Sequence, residues 1–341
     1  MDNNSAFHLF PETQNLTARN TAPKVVVGLP VYNGENYLRP AIESILAQTL
    51  TDFILIISDN ASTDATEEIC REFAAFDSRV VYYRQKENIG AAPNFNFVYQ
   101  PGAAPYFKWA AHDDILEPEY LRQCVELLDR DPKLAVAHCL SYRIDHQGQI
   151  YGTHDNDLPL NGSSPNERFW RILWAYHFTE IFGVMRTDLL SQTQLHGSYV
   201  GSDRNLMAEM LLLGDMGYVE DRLFLHRLHK ASYMRKLKDN TSRLKWFDPT
   251  AKIPAHLVSY IKFKEYLNTI RHLPLPFSER VACIVRLIEW GLRRGFEAIL
   301  RSPDLYRKKL VRQYSFQQIY QAASDIGENW RKSPAHDRRA A

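Results

Sequence analysis

The sequence predicts an α/β protein with a doubly wound, mostly parallel β-sheet flanked by helices, followed by a C-terminal helical extension. From Lys24 onward, short β-rich runs alternate with helical periods, which is the pattern of parallel strands joined by right-handed crossover helices. Beyond residue 254 only helical periodicity remains, over 255–271, 277–300 and 314–330. Such sheets bind ligands beyond the carboxyl ends of their strands, so the polar residues after each strand are the candidate site.

The strands are predicted from short apolar runs bounded by turn residues. The run Val25-Val26-Val27 begins the first strand, and 53–57 is a continuous apolar run of the fully buried kind. Further strands are predicted at 79–84, 106–110, 134–140 and 217–228, the last as one or two strands.

The helices are predicted from apolar residues at helical spacing. Leu38, Ile42 and Ile45 mark the first helix, and acidic residues in the first turns favour the second, over 64–76. Further helices are predicted at 94–99, 118–129, 167–176 and 203–213, and 151–165 is a polar loop too long for a plain connector.

These elements predict one large α/β domain with additions at both ends. The domain covers 24–235 and divides into halves at 24–115 and 116–235. The predicted additions are a flexible segment at 1–23, a basic linker at 236–254, a helical extension at 255–330 and a disordered tail at 331–341.

Composition narrows the class of protein. Forty-one basic and forty acidic side chains leave a formal net charge of +1, so no bulk field attracts nucleic acid. The four cysteines are widely spaced and form no CxxC or Cys/His cluster, as expected of reduced thiols in the cytoplasm. No signal-peptide core and no uncharged run of about 18 residues is found, which argues against a transmembrane helix.

Two adjacent carboxylates carry most of the chemical information. The apolar run at 106–110 is followed by Asp113 and Asp114, which are costly to bury together unless a cation or hydrogen-bond donors compensate. Mg²⁺ and Mn²⁺ prefer carboxylate oxygens completed by water and substrate phosphates, so the pair predicts a metal-bridged diphosphate. The alternative is an Asx turn that opens the next helix.

Three more polar segments follow strands and are predicted to share the same rim. Pro30, Tyr32, Asn33 and Glu35 form a turn with an aromatic face suited to a nucleobase, or simply a capped strand-to-helix turn. Asp59 ends a buried strand, where it can accept from a pyrimidine imide or a ribose hydroxyl. The third segment, at 87–94, carries Asn88 beside a glycine turn.

These segments, in this order, resemble the family 2 glycosyltransferases, which are nucleotide-sugar enzymes of GT-A fold. The resemblance covers about 24–232 and rests on the series of segments more than on any single one. It implies that 24–115 binds the nucleotide and 116–235 the acceptor. The residues that it assigns to the nucleotide sugar are Pro30, Tyr32, Asn33, Glu35, Asp59, Asn88, Lys108, His112 and Asp113.

The resemblance also implies a metal site, a base and an acceptor side. Asp114 would ligate Mg²⁺ or Mn²⁺, and His229 would complete the metal shell or touch the diphosphate, unless it is a structural histidine. Asp203 would be the base, although its alternative is the N-cap of the helix that follows. Glu180 matches a segment that lines the acceptor side, and Trp174 offers a sugar platform, unless it is a core aromatic.

The predicted function is metal-dependent, inverting sugar transfer from a nucleotide sugar to a saccharide or lipid-linked saccharide, in cell-surface polysaccharide or glycan assembly. A UDP-sugar or dTDP-sugar is the expected donor because Asp59 suits a pyrimidine imide; GDP-mannose is an alternative. The rival readings are a sugar-1-phosphate nucleotidyltransferase, which needs a glycine-rich basic loop that 28–32 lacks, and a non-catalytic nucleotide-sugar-binding module.

The C-terminal extension has two predicted roles. The amphipathic segment 277–301 combines an apolar side with arginines and interfacial aromatics, which suits peripheral contact with the inner face of a membrane. The same segment is also suited to docking on the α/β domain.

Overall fold

The structure is a computed structural model that describes residues 22–154, 163–175, 179–229, 239–250 and 258–301. The predicted tail at 331–341 and nearly all of the predicted segment 1–23 lie outside the described residues, as does most of the polar loop at 151–165.

The described residues contain nine strands that form one sheet. The strands are β1 (Val25–Val31), β2 (Phe53–Asp59), β3 (Val80–Arg84), β4 (Tyr106–Trp109), β5 (Ile115–Leu116), β6 (Leu134–Ile144), β7 (Ile150–His154), β8 (Val184–Arg186) and β9 (Asp215–Arg227). Their order is β3-β2-β1-β4-β8-β6-β9-β5, with β7 paired to β6.

Strand direction places several loops on one rim. β1, β2, β3 and β4 pair in parallel, and β6 pairs in parallel with β9. Because β8 is antiparallel to both β4 and β6, those two strands also point the same way. The carboxyl ends of six strands therefore meet at one edge, and the predicted mostly parallel α/β fold is confirmed.

Ten α-helices are described, and one of them is buried on all sides. They are α1 (Leu38–Leu46), α2 (Thr66–Phe76), α3 (Ala91–Phe97), α4 (Tyr120–Arg130), α5 (Pro165–Trp174), α6 (Thr187–Leu190), α7 (Ser202–Leu213), α8 (Asn240–Phe247), α9 (Val258–His272) and α10 (Phe277–Arg301), with a 3₁₀ turn at Glu180–Phe182. Nearly every residue of α7 is buried, which is expected of an apolar helix enclosed by neighbours.

A helix lies within the segment that was predicted to be an irregular linker. α8 begins after Asp239, whose carboxylate accepts a hydrogen bond from the Ser242 amide across 2.9 Å. Its buried Leu244 and Phe247 cluster with apolar residues of the α/β domain. The helical pattern was obscured by the basic composition of the segment, because only two apolar side chains anchor it.

The C-terminal extension begins inside the main compact unit. The chain divides into one unit up to Leu287 and a second from Ile288. Within the first unit, Thr269 of α9 donates to Asn205 and Glu209 of α7, each across 3.2 Å, so α9 docks on the domain. No helix within the described ranges is long and apolar enough to cross a membrane.

Candidate active site

The loop after β1 is joined to the loop after β2 by its own polar side chains. Asn33 adopts a left-handed conformation (φ 53°), which asparagine tolerates, and its Oδ1 accepts from the Thr63 amide across 2.9 Å. Glu35 Oε2 accepts from the Ala65 amide across 3.1 Å. These two side chains therefore shape the rim, while Tyr32, 45% exposed, presents its ring to solvent. Pro30 is buried within β1.

Asp59 is the buried anchor of the second loop. Its side chain is fully buried; Oδ1 accepts from the Ser62 amide across 2.8 Å, and Oδ2 accepts from the Tyr82 hydroxyl across 3.0 Å. Arg84 also donates to Oδ2, across 3.0 Å. Arg84 and Tyr82 thus already neutralise and bond the carboxylate that was predicted to face the nucleoside.

Asn88 serves the third loop in a similar way. Its Oδ1 accepts from the side-chain amide of Asn60 across 3.0 Å and from the Gly90 amide across 2.9 Å. The buried Asn60 also accepts from the Ile89 amide across 2.9 Å. Asn88 therefore lies on the predicted rim, where it holds the glycine turn in place.

Asp113 lies at the junction of three rim segments. Its Oδ2 is 3.0 Å from His229 Nε2, and the His229 ring packs on Tyr37 with centroids 4.6 Å apart. A Cβ at Gly34 would come within 3.0 Å of the His112 ring, so His112 lies directly over the first loop. These contacts bring the carboxylate, the first loop and the end of β9 together, as the predicted site requires.

The electrostatics of the rim favour an ionised Asp113. Burial alone would raise the pKa of this carboxyl, but the charge of His112 and the hydrogen bond from His229 hold it below its usual value. The side chain retains 18% exposure. Asp113 is thus the member of the pair with a surface available to a ligand.

Asp114 is turned toward the end of β9. It is 6% exposed, and its Oδ1 accepts from the Arg227 amide across 2.8 Å and lies 3.2 Å from His226 Nδ1. Burial would lower the pKa of His226, but the neighbouring Asp114 carboxylate raises it above its usual value. The two aspartates therefore pair with different histidines, Asp113 with His229 and Asp114 with His226.

Lys108 is placed away from the rim, in the protein core. The side chain is fully buried in β4, and its ammonium donates to the carbonyls of Trp109 and Phe182 and lies 4.6 Å from the centroid of the Tyr120 ring. Burial lowers the pKa of this lysine to about 8. In this conformation Lys108 has no surface for a nucleotide sugar to touch.

Asp203 lies in the first turn of the buried helix α7. The N-cap of that helix is Gly201, whose φ of 89° suits glycine, and Asp203 Oδ1 accepts from the neighbouring Arg204 amide across 2.8 Å. The alternative role of Asp203 as the N-cap is thus filled by Gly201. Its carboxylate is half-buried at the end of a rigid helix.

The two predicted acceptor-side residues differ in exposure. Glu180 is buried, and its Oε1 accepts from the Tyr218 hydroxyl across 3.0 Å. Trp174 is partly exposed and packs edge-on against Trp170, with ring centroids 5.5 Å apart. Of the two, Trp174 presents surface on which a sugar can stack.

Comparison with protein families was decisive for classification. Residues 26–193, which include the first three rim loops and both aspartates, match the family model described as Glycosyl transferase family 2. The chain belongs to this family. Its site residues are therefore those of a glycosyltransferase.

Relatives of this glycosyltransferase are found among bacterial enzymes. Glycosyltransferase GlyA of Streptococcus pneumoniae serotype 4 is 24% identical over 87% of this chain and 42% of its own length. Chondroitin synthase of Escherichia coli is 34% identical over 38% of this chain and 18% of its own. The chain thus spans about two fifths of the length of GlyA and less of the synthase.

A solved structure supports the same fold. The crystal structure of S. aureus TarS 1-349 in complex with UDP-GlcNAc aligns with a TM-score of 0.60 and 16% identity, over 80% of this chain and 73% of that one. Together with the sheet order, this likeness shows that the glycosyltransferase has the GT-A type of fold.

The donor set at the rim fits a divalent cation of the kind that GT-A glycosyltransferases commonly use. Carboxylate oxygens suit Mg²⁺ and Mn²⁺, and Mn²⁺ also accepts imidazole. Across the described ranges, no group of three or more His, Cys, Asp or Glu side chains is arranged to hold a metal ion. A cation at this glycosyltransferase site would therefore take one or two protein ligands and complete its shell with substrate phosphates and water.

Three site residues were not anticipated from the sequence. His226 pairs with Asp114, Arg84 neutralises Asp59, and the Arg227 guanidinium lies 4.7 Å from the centroid of the Tyr37 ring. Charge complementarity alone does not select them, because their partners are distant in sequence. The one signal was position, since His226 and Arg227 end the last strand of the core.

Proposed function

We propose that this glycosyltransferase is a metal-dependent, inverting enzyme that moves a sugar from a nucleotide-sugar donor to a saccharide or lipid-linked saccharide acceptor. The observation that carries the proposal is the meeting of Asp113 and His229, 3.0 Å apart, beneath the first rim loop. This places a half-exposed carboxylate and an imidazole at the carboxyl ends of parallel strands, where such sheets bind nucleotides.

The donor is proposed to be a UDP-sugar or dTDP-sugar, held by the first two rim loops. Tyr32 offers an exposed ring for the base, and Asp113 lies where a ribose would follow it along the rim. A direct contact between Asp59 and the base would require the carboxylate to exchange the Tyr82 or Arg84 partner. Asn33, Glu35 and Asn88 contribute by fixing the loops.

Asp114 and His229 are the proposed protein ligands of Mg²⁺ or Mn²⁺, and the geometry adds Asp113, which lies beside His229. The bound cation would supply charge neutralisation for the leaving diphosphate. Arg227 is proposed to hold both aspartates in register and not to contact phosphate, because it is buried and its guanidinium donates to main-chain carbonyls.

Asp203 is proposed as the base in a single displacement. The acceptor hydroxyl oxygen bonds to the anomeric carbon while the carbon–oxygen bond to the diphosphate breaks, and Asp203 takes the hydroxyl proton. Attack opposite the leaving group inverts the anomeric centre. The half-buried carboxylate on the first turn of α7 supports this role, because a rigid helix restricts its orientation.

Calorimetric titration with a panel of nucleotide sugars, with and without Mn²⁺, tests donor and metal together. We expect a UDP-sugar or dTDP-sugar to bind with Mn²⁺ and to bind at least tenfold more weakly with EDTA. Slow release of free nucleoside diphosphate, absent with EDTA, separates an enzyme from a binding module. Binding of no nucleotide sugar would refute the proposal, and release of pyrophosphate from a nucleoside triphosphate and a sugar phosphate would favour the nucleotidyltransferase.

The proposed setting is cell-surface glycan assembly at the inner face of the membrane. On α10, Val285, Ile288 and Leu292 are exposed at helical spacing, so they share one face suited to an anionic lipid surface. The full chain should float with anionic liposomes, and a variant with Ile288→Ser and Leu292→Ser should not. A surface variant such as Phe76→Ser is the control; equal flotation of both variants would remove the membrane role.

A further inference from the structure

A row of polar side chains crosses the sheet beside Asp114. Arg143 of β6 pairs in register with His226 of β9 on one side and with Gly152 of β7 on the other. Paired residues on neighbouring strands project from the same face of a sheet. The order along this face is therefore His154 and Arg143, then His226, then Asp114, and the hydrogen bonds agree, with Arg143 donating to His154 Nδ1 across 3.1 Å.

Arg143 differs from most arginines near the site. Within the part of the chain that the structure describes, no carboxylate lies within ion-pair distance of its guanidinium. Arg84 and Arg168, by contrast, pair with Asp59 and Asp215. The Arg143 side chain is half-buried, so its positive charge is partly desolvated without being neutralised. Such a charge favours an anion from outside the protein.

The surroundings of Arg143 lead toward the predicted acceptor side. The His226 ring stacks on Phe224, and Phe224 stacks on Phe182 of the 3₁₀ turn that follows Glu180. His226 uses Nδ1 for Asp114, and its Nε2 has no protein partner among the described residues. The row thus continues from the acceptor turn, on the β6–β7 side of β9. The nucleoside loops follow β1 and β2, at the other end of the strand order.

We propose that Arg143, with His226 beside it and His154 behind it, forms a subsite for a phosphate group carried by the acceptor. This inference rests on the proposed function, because it assumes that the sugar donor occupies the β1–β4 side of the rim. The planar guanidinium matches two phosphate oxygens, and its contact with His154 restricts its orientation. The proposed acceptor class is therefore a phosphate-bearing saccharide, polyol or lipid.

The test uses inorganic phosphate as the probe and ³¹P NMR line broadening as the readout, with the full chain and Mg²⁺. The wild type should broaden the phosphate resonance, and Arg143→Gln should weaken the apparent phosphate affinity about fivefold to tenfold. Arg222→Gln is the matched control, because the Arg222 guanidinium lies over the Tyr142 ring, on the opposite face of the same strand pair. It should leave phosphate binding within twofold of the wild type.

A second arm separates the acceptor from the donor by adding saturating UDP. Broadening of the phosphate resonance should persist with UDP present, because the two sites are distinct. Loss of broadening on adding UDP would assign Arg143 to the donor diphosphate and overturn the proposal. Equal phosphate binding by the wild type and Arg143→Gln would also overturn it. If UDP itself does not bind, the proposed donor fails, while the first arm still reports on the phosphate subsite.

Discussion

The main-chain N–H of Arg227 donates to Asp114 Oδ1 across 2.8 Å, and the Arg227 Nε donates to the carbonyl of Asp113 across 2.8 Å. One residue at the end of β9 thus fixes both the side chain of one aspartate and the main chain of the other. The same guanidinium donates to the Asp145 carbonyl across 2.9 Å. A planar donor with several N–H groups is needed for this arrangement.

Arg227→Lys should therefore impair the site without removing a positive charge. Lysine retains the main-chain bond to Asp114 but cannot reproduce the two guanidinium bonds and the packing on Tyr37. We expect kcat/KM to fall roughly tenfold to a hundredfold, with a higher Mn²⁺ concentration for half-maximal activation. Arg222→Lys is the control. Unchanged activation by Mn²⁺ would show that Arg227 has no role in positioning.

Asp114→Ala and Asp113→Ala should differ in stability although both remove transfer. Asp114 is buried and satisfies the Arg227 amide, so its removal should also cost about 1–3 kcal/mol of unfolding free energy. Asp113 is more exposed, and its loss should cost less. Thermal unfolding beside a transfer assay measures both. Equal destabilisation by the two substitutions would contradict the placement of Asp114.

Asp203→Asn should spare donor binding and remove turnover. Asparagine keeps the size and the hydrogen-bonding oxygen of the side chain but cannot take the acceptor proton. A loss of roughly 10²–10⁴-fold in kcat is expected, with a donor dissociation constant within twofold of the wild type. Calorimetry and initial rates give the two values. Robust transfer by this variant would mean that another group is the base.

Lys108→Met tests the placement of Lys108 in the core. Donor affinity should be unchanged, because the ammonium faces the carbonyls of Trp109 and Phe182. The pKa of Lys108 is lowered to about 8, so the stability that neutral lysine contributes is present above its ordinary pKa and is lost as pH falls through 8. Lys108→Met should thus be at least as stable at pH 7, with the comparison shifting toward the wild type as pH rises from 8 to 10. Weaker donor binding at unchanged stability would return Lys108 to the nucleotide site.

Glu209 on α7 gives the opposite sign of pH dependence. Burial raises its pKa to about 7, against the hydrogen bond from the Gln194 amide and the charge of His272. Because the folded state binds the proton more tightly, the stabilisation is present below the ordinary glutamate pKa and is lost as pH rises through 7. Relative to Glu209→Gln, the wild type should lose up to about 3 kcal/mol between pH 5 and pH 8. Chemical denaturation across this range measures the difference, and parallel pH profiles would contradict it.

The strand-and-helix alternation was readable from the sequence because each element has a strong local period. The fully buried run at 53–57 became β2, and the run at 106–110 became β4 almost residue for residue. β7 and β8 were not predicted, because they are short and depend on pairing with β6. The helix Asn240–Phe247 was missed for a related reason, since tertiary burial of Leu244 and Phe247 supports it.

The sequence by itself determined the α/β class, the order of the rim loops and the family, because these follow from hydrophobic periodicity and from short motifs at strand ends. Only the tertiary structure decided which partner each charged side chain takes: Asp113 with His229, Asp114 with His226 and Arg227, and Lys108 with carbonyls of the core. The physical reason is that these partners come from strands far apart in the chain. Their pairing depends on sheet order and on which way each side chain turns at the end of its strand, and local sequence encodes neither.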